Sequence, residues 1–380
     1  MVCPTHCKVN STAASRVKRY GALGTMARAA AFLAFVALGA APAADVLGSA
    51  NAAYKAGDMA TAIRLYREFL ADHPDAAEIR SNLGAALVRD GQFAAAIGEY
   101  QKAIQAIPGN TRVRMNLALA YYKVGRLAEA VRELEVLHER APLERQPALL
   151  LADCLLQTGQ AREAVELLAP VEKEYPDDRA VVYLLGMALL KDNRLTEAQG
   201  MLDRILREGQ SAESEYLLGQ SEYLRQNLVA AAEHLARAVE LNPKLSGAHS
   251  LYGQALRGLT RLDAAAEQFR AELQVNPYDF AANAETAMQL RQDGKPDEAL
   301  AHLARALEVR PGDPGALYQR ASIHAQQGQT EQARGELEQL VRDFPTFAEA
   351  HATLATVYYR LKRTADGDRE RALARQGQKQ

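Results

Sequence analysis

Apolar residues between Arg80 and Pro108 recur at steps of three and four, which places them on one face of a helix. Two such runs are separated by Asp90-Gly91, and the second run ends at the proline. Glycine favours the end of a helix, and proline prevents the helix from continuing. The stretch therefore predicts a helical hairpin. Its first apolar face consists of Leu83, Leu87 and Val88, and its second of Phe93, Ala96, Ile97, Tyr100 and Ile104.

The hairpin pattern recurs along the chain with a period of about 34 residues. The second helix of all nine copies carries alanine at one position, and the first helix carries glycine or alanine opposite it in eight of them. Small residues are required where two helix backbones approach closely, because a larger side chain would overpack the crossing at about 1–3 kcal/mol. The alanines are Ala62, Ala96, Ala130, Ala164, Ala198, Ala231, Ala265, Ala299 and Ala333, and prolines end the copies at Pro74, Pro108, Pro142, Pro176, Pro243, Pro277, Pro311 and Pro345.

With these residues the chain resembles a tetratricopeptide repeat protein from about Asp45 to its C-terminus. The tryptophan that opens the family consensus is absent, and Val46, Arg80, Arg114 and Ala148 stand at its position in the first four copies. The resemblance implies an all-α protein, an α-solenoid in which helical hairpins form a right-handed superhelix. We expect nine units over residues 44–347, followed at 348–380 by a partial tenth unit that acts as a capping helix.

Residues 1–43 have the pattern of a signal peptide. Arg28 precedes an uncharged run over residues 29–41, which is short for a membrane span of about 20 residues. Ala41-Pro42-Ala43 fits the small-residue cleavage rule, so we expect cleavage after Ala43 and a periplasmic or secreted protein. The alternative is a membrane anchor over residues 29–41. Met26 begins a complete short signal by itself, and it is a second candidate for the true start.

Net charge and cysteine content restrict the possible partners and cross-links of the protein. Residues 1–43 contain five basic residues and no acidic one, so their removal takes the formal net charge from −2 to −7. An acidic solenoid disfavours nucleic acid as a partner, because phosphate contacts need clustered lysine and arginine. Cys154 is then the single remaining cysteine, which excludes an intramolecular disulfide.

The sequence contains none of the common catalytic or cofactor motifs. Its histidines are scattered, and no phosphate loop, nucleophile elbow or calcium loop is present. The repeats also leave no room for a catalytic domain. We therefore predict a protein that is not an enzyme, with no cofactor, no metal site and no catalytic residue; an enzyme or enzyme subunit is the less favoured alternative.

The resemblance implies that the first helices line a concave surface on which extended peptides or helices of partner proteins bind. In the first three units this surface presents Asn51, Asn82, Arg112 and Asn116. Asn51, Asn82 and Arg112 match positions of the carboxylate clamp found in this family, whereas Leu47 and Asn116 replace two of its basic residues. We predict a polar region that holds a peptide amide or carboxylate; the alternative is that these asparagines bond within the scaffold.

In units four to six the predicted concave positions are apolar and aromatic. A row of such side chains, if exposed, suits an apolar peptide or helix. The alternative is that these residues belong to the core. The row consists of Leu149, Leu150, Tyr183, Leu184, Met187, Tyr216, Leu217 and Tyr223.

Together these observations predict a scaffold or adaptor of the cell envelope, of exported bacterial type, that binds protein or peptide partners in its concave groove. The first alternative is a scaffold in exopolysaccharide or peptidoglycan assembly, for which binding of soluble glycan would be diagnostic. We expect no nucleic-acid partner, and membrane contact only if residues 1–43 remain attached.

Overall fold

The computed structural model describes residues 43–207 and 209–377. Within these ranges the chain is all-α, with twenty helices and no strand, so the predicted α-solenoid is confirmed. The predicted signal peptide, the alternative anchor at 29–41 and the alternative start at Met26 lie outside the described residues, except that Ala43 begins the first helix.

The helices form ten consecutive hairpins, and each hairpin packs on the next. Two helices make one unit, so odd-numbered helices are the first helices of their units. The bounds are α1 Ala43–Ala56, α2 Met59–Asp72, α3 Ala77–Arg89, α4 Phe93–Ala106, α5 Thr111–Lys123, α6 Leu127–Arg140, α7 Arg145–Thr158, α8 Ala161–Glu174, α9 Arg179–Lys191, α10 Leu195–Arg207, α11 Ala212–Leu224, α12 Leu228–Leu241, α13 Ala248–Gly258, α14 Leu262–Val275, α15 Phe280–Gln292, α16 Pro296–Val309, α17 Pro314–Gln326, α18 Thr330–Asp343, α19 Ala348–Arg360 and α20 Thr364–Gly377.

The small residues lie at the helix crossings, as the repeat pattern predicts. All nine recurring alanines of the second helices are buried. Opposite them, a Cβ on Gly84 would come within 2.7 Å of the Tyr100 ring, and one on Gly219 within 2.6 Å of Leu235. Real side chains do not approach so closely, which explains why glycine occupies these positions.

The turn between the two helices of each unit contains one residue with left-handed backbone conformation. Glycine has this role in six units, for example Gly91 with φ +78°. In the other four units Asn193, Gln226, Thr260 and Lys362 adopt it with φ near +60°. The hairpin geometry therefore imposes the conformation even where the side chain disfavours it.

A recurring polar pair occupies the place of the missing tryptophan. In the second unit Arg80 donates a hydrogen bond of 2.7 Å to Glu99 of the second helix and another of 2.5 Å to the carbonyl oxygen of Pro74. One side chain thus joins both helices of its unit to the preceding turn. The same arrangement is made by Arg114 with Glu133 and Pro108, His249 with Gln268 and Pro243, Asn283 with His302 and Pro277, and His351 with Glu370 and Pro345.

The tenth unit, predicted as a partial unit or capping helix, contains two helices in the described residues. Its second helix, α20, runs from Thr364 to Gly377 and packs along α19. The glycine that suggested a degraded helix, Gly367, is required there because a Cβ would come within 2.6 Å of the Tyr359 ring. His351 Nδ1 and Glu370 Oε2, 2.6 Å apart, fasten the last helix to the array.

The solenoid closes on itself between units three and four on one side and units seven and eight on the other. Arg310 Nε donates a hydrogen bond of 2.9 Å to the carbonyl oxygen of Gln157, which lies 153 positions earlier. Asn276 Nδ2 donates to Gln157 Oε1 at 3.4 Å. The ring of Tyr278 lies directly against Gly125. These contacts bridge the groove in the middle of the array.

Substituting Gly125 tests this closure. We expect Gly125→Ala to separate the two sides, because a Cβ would overlap the Tyr278 ring. Gly91→Ala is the matched control, since Gly91 has the same turn position and a similar φ (+78° against +74°) but no neighbour within 4 Å of a Cβ. Small-angle scattering should show a larger radius of gyration for Gly125→Ala alone. An equal effect of both substitutions would show that backbone strain, and not closure, is responsible.

Candidate functional site

The four polar residues predicted on the first three units line one cavity of about 460 Å³, here called the N-terminal pocket. Each comes from a first helix: Asn51 from α1, Asn82 from α3, and Arg112 and Asn116 from α5. Successive first helices stand side by side in a solenoid, so residues on the inner side of neighbouring units become adjacent. The rest of the lining consists of Tyr54, Tyr66, Ser81, Ala85, Val88, Arg89 and Tyr100.

The N-terminal pocket is positively charged, since its lining contains two arginines and no acidic residue. Arg89 is held by its own scaffold: its guanidinium lies 4.7 Å above the centre of the Tyr54 ring and donates to the Tyr54 carbonyl oxygen. Arg112 is exposed and has no hydrogen bond or ion pair to any other described residue. It therefore remains open to a ligand.

The asparagines of the pocket differ in their scaffold contacts. The Tyr66 hydroxyl donates a hydrogen bond of 2.7 Å to Asn51 Oδ1, and the amide nitrogen of Asn51 has no partner among the described residues. Asn82 and Asn116 have no side-chain hydrogen bond to another described residue. The sequence left open the alternative that the asparagines form hydrogen bonds within the scaffold. Among the described residues this holds only for Asn51 Oδ1.

The apolar row of units four to six is not one exposed surface. Leu149 and Leu150 are half-buried and line an open depression with Met115, Leu119 and Asp153. The predicted positions Tyr183, Leu184 and Tyr223 are also half-buried. Tyr183 packs edge-on against Tyr216, with ring centres 6.3 Å apart.

Met187, Tyr216 and Leu217 are buried, which agrees with the alternative that these residues belong to the core. Leu217 is 1 % exposed and fills the space left by Gly186 on the neighbouring first helix. Helical spacing places these residues on the inner side of the array. Whether an inner side is open or filled depends on how tightly the solenoid curves.

The closed part of the solenoid contains a second cavity of about 360 Å³, here called the inner chamber. It was not foreseen from the sequence. Its polar lining comes from five first helices and the turns beside them, and its apolar lining includes the buried Met187 and Tyr216. The polar residues are Asp153, Gln157, Lys191, Gln220, Ser246, Ser250, Gln254, Asn276, Asp279, Glu285 and Arg310.

A buried carboxylate shapes the wall of the inner chamber. Glu272 of α14 is fully buried, at a repeat position that is apolar in the other eight of the first nine units. Its oxygens accept hydrogen bonds from the backbone amides of Gly247 (2.8 Å) and Ser250 (3.2 Å). Helix α15 begins at Phe280, so the 34-residue repeat predicts that α13 begins at Ser246. In the structure α13 begins two residues later, at Ala248. The Glu272 carboxylate thus accepts hydrogen bonds from backbone amides at the delayed start of α13.

Burial alters the proton affinity of the chamber's ionisable groups. Burial, followed by the charge of Asp279, raises the pKa of Glu272 to about 7. Burial also raises the pKa of Asp153, against hydrogen bonds from Tyr122 and Gln157 that lower it. For Lys191, whose side chain still reaches water, desolvation and then the charge of Arg310 lower the pKa, whereas Asp279 and Asp153 raise it. The surroundings of Glu272, Asp153 and Lys191 therefore favour the neutral form of each side chain.

Two further features concern the whole described chain. In residues 43–207 and 209–377, no group of three or more histidine, cysteine or acidic side chains is arranged to hold a metal ion. Over the same residues, no helix is both long and apolar enough to cross a membrane.

Comparison with known proteins defines the class. Tetratricopeptide repeat family models match residues 87–154, 144–185, 155–221 and 290–357 in one case, and 47–111 and 251–316 in another. The chain therefore belongs to the tetratricopeptide repeat family, as its sequence resemblance implied. No curated protein matches the sequence significantly. No enzyme family is indicated by these comparisons.

Among solved structures the chain is similar to one titled "Crystal structure of APC/C hetero-tetramer Cut9-Hcn1". The TM-score is 0.53 at 13% sequence identity, over 88% of this chain and 86% of that one. At this identity the similarity concerns the fold alone. The fold is that of a tetratricopeptide scaffold, a class that generally binds protein partners.

Proposed function

We propose that this protein is a non-enzymatic scaffold of the cell envelope that binds partner proteins through a peptide carboxylate held in the N-terminal pocket. The observation that carries the proposal is the open guanidinium of Arg112 beside the unpartnered amides of Asn82 and Asn116. A carboxylate accepts hydrogen bonds from both kinds of donor, and bonds to a charged group are about twice as strong as neutral ones. No acidic side chain lines the pocket to compete with such a ligand.

The shape of the pocket agrees with an extended peptide. Tyr54, Tyr66 and Tyr100 supply aromatic walls, and the cavity volume of about 460 Å³ lies within the range of ordinary ligand pockets. Asparagine side chains present a donor and an acceptor together, which matches the peptide backbone. Residues of three consecutive units contribute, so an extended ligand would lie across the first helices.

Binding of C-terminal peptides tests the proposal. On a peptide array printed in free-acid and C-terminally amidated forms, we expect binding to the free acids only. Arg112→Gln should weaken the binding of the best free-acid peptide about tenfold, the loss of one charged hydrogen bond of about 1.4 kcal/mol. The control is Arg132→Gln, which removes an exposed arginine outside the pocket. Equal binding of acid and amide forms, or equal loss in both variants, would contradict the proposal.

The envelope location rests on the sequence of residues 1–43. An alkaline phosphatase domain fused after residue 43 should be active, because that enzyme requires export to fold. The exported chain should begin at Ala44. A fusion that remains inactive, or an exported chain that retains residues 29–41, would contradict cleavage after Ala43.

A further inference from the structure

The carboxylates of the inner chamber are already engaged by the protein. Each of them accepts hydrogen bonds or forms an ion pair with groups of the scaffold. Asp153 accepts from Tyr122 at 2.5 Å and Gln157 at 2.8 Å, Asp279 accepts from Ser250 at 2.8 Å and the Ala282 amide at 2.7 Å, and Glu285 pairs with Arg257 at 3.0 Å. In each carboxylate these contacts occupy one of the two oxygens, so part of its charge is already satisfied by the scaffold.

The two basic side chains of the chamber have fewer contacts with the scaffold than the carboxylates have. Lys191 remains accessible to water and has no hydrogen bond or ion pair to any described residue. Arg310 donates through Nε to the Gln157 carbonyl oxygen, and its guanidinium lies 4.4 Å above the centre of the Phe280 ring. The terminal nitrogens of Arg310 have no partner among the described residues. Lys191 and Arg310 repel each other, and the charges of Asp279 and Asp153 offset this only through space, without an ion pair; an anion between the two cations would be attracted to both.

A third group of the chamber lacks a partner. Gln220 is 5 % exposed, and its Oε1 is buried without a hydrogen bond. An unsatisfied buried acceptor costs about 1–3 kcal/mol, so a donor that reached it would bind favourably. The apolar wall beside it consists of Leu156, Met187, Tyr216, Leu251 and Phe280.

We propose that the inner chamber binds a small organic acid that carries a hydrogen-bond donor next to its carboxylate and a short apolar body. An N-acylated amino acid and a 2-hydroxy acid both have this chemistry. The carboxylate lies between Lys191 and Arg310, the adjacent N–H or O–H donates to Gln220 Oε1, and the apolar body contacts Met187 and Tyr216. This site is separate from the N-terminal pocket and does not depend on the function proposed for it.

Calorimetric titration of the full chain with N-acetyl-L-phenylalanine tests the proposal. Lys191→Met should weaken binding at least tenfold, because a charged hydrogen bond is lost. Lys123→Met is the matched control: Lys123 ends α5 as Lys191 ends α9, at the same repeat position two units earlier, and lies outside the chamber. Both substitutions remove one charge from the last turn of an equivalent helix, so a difference between them reports on the chamber.

Three related probes separate the parts of the ligand. N-acetyl-L-phenylalaninamide, which is neutral, should bind at least tenfold more weakly than the acid. 3-Phenylpropanoate, which lacks the donor for Gln220, should bind a few-fold more weakly. L-3-Phenyllactate should bind like the N-acetyl acid if the donor can be a hydroxyl, and its failure to bind would restrict the ligand to N-acylated amino acids, within the proposed class.

Several outcomes would overturn the proposal. These are no heat of binding with millimolar acid, equal affinity of Lys191→Met and Lys123→Met, equal affinity of the acid and the amide, or binding of inorganic phosphate but of neither acid. Binding lost in Arg112→Gln but kept in Lys191→Met would also overturn it, since the acid would then occupy the N-terminal pocket. The peptide array measures binding in the N-terminal pocket, so failure of one proposal can be distinguished from failure of the other.

Discussion

Leu217→Glu is expected to destabilise the protein by about 3–5 kcal/mol, because the new carboxylate would be buried without a partner. Leu217 is 1 % exposed and packs against Gly186, so neither water nor a cation is within reach. Guanidinium denaturation followed by circular dichroism should show the loss as a lower transition midpoint. Since repeat arrays can unfold in parts, hydrogen exchange of α9 and α11 should be compared with that of α19.

Leu150→Glu is the matched control for that experiment. Leu150 occupies the same repeat position two units earlier, but it is half-buried at an open depression. Its substitution should cost about 1 kcal/mol or less, because the carboxylate can reach solvent. If both substitutions cost the same, Leu217 would be an accessible groove residue and not a core residue.

The stability of the protein is expected to fall as the pH rises from about 4.5 to about 7, by a contribution from Glu272. Burial raises the folded-state pKa of Glu272 from 4.5 to about 7. Below pH 4.5 the carboxyl is protonated in both states and this stabilisation is complete. Between the two values the folded state binds more protons, so stability decreases with pH. The total effect is roughly 3 kcal/mol at 1.36 kcal/mol for each pKa unit.

Glu272→Gln should remove this component of the pH dependence, because an amide does not titrate in the range. The charge of Asp279 acts on Glu272, so the difference between parent and variant reports Glu272 together with its effect on Asp279. Glu267→Gln on the same helix is the control, since Glu267 is exposed. Thermal midpoints of the three proteins should be measured from pH 4 to 8. A difference between parent and Glu272→Gln that stays constant with pH would contradict the expected titration.

Glu272 also links pH to the proposed ligand of the inner chamber. Its carboxylate holds the amides of Gly247 and Ser250, and both residues line the chamber. A change in its protonation therefore alters the wall on which the ligand rests. The N-terminal pocket has no such group, so peptide binding there should not follow the titration of Glu272.

The sequence predicted the parts of the structure that depend on contacts within one unit or between neighbours. The repeat length, the turn between the two helices and the small residue at the helix crossing recur along the chain. The positions of Ala96 and Gly91 are therefore sampled in many units, which makes their local geometry predictable. The polar residues of the N-terminal pocket were predicted from the family resemblance projected onto the repeat lattice. They belong to the first helices of three consecutive units, which must lie side by side.

The sequence therefore determined the α-solenoid, its hairpin units and the composition of its inner side. Tertiary structure alone decided where that side is filled, because curvature is the sum of small rotations over many units. That sum brings Arg310 to Gln157 across 153 positions and creates the inner chamber. The pair of Arg80 with Glu99 was likewise invisible, since two surface-like residues in sequence became one half-buried bridge only when their helices packed.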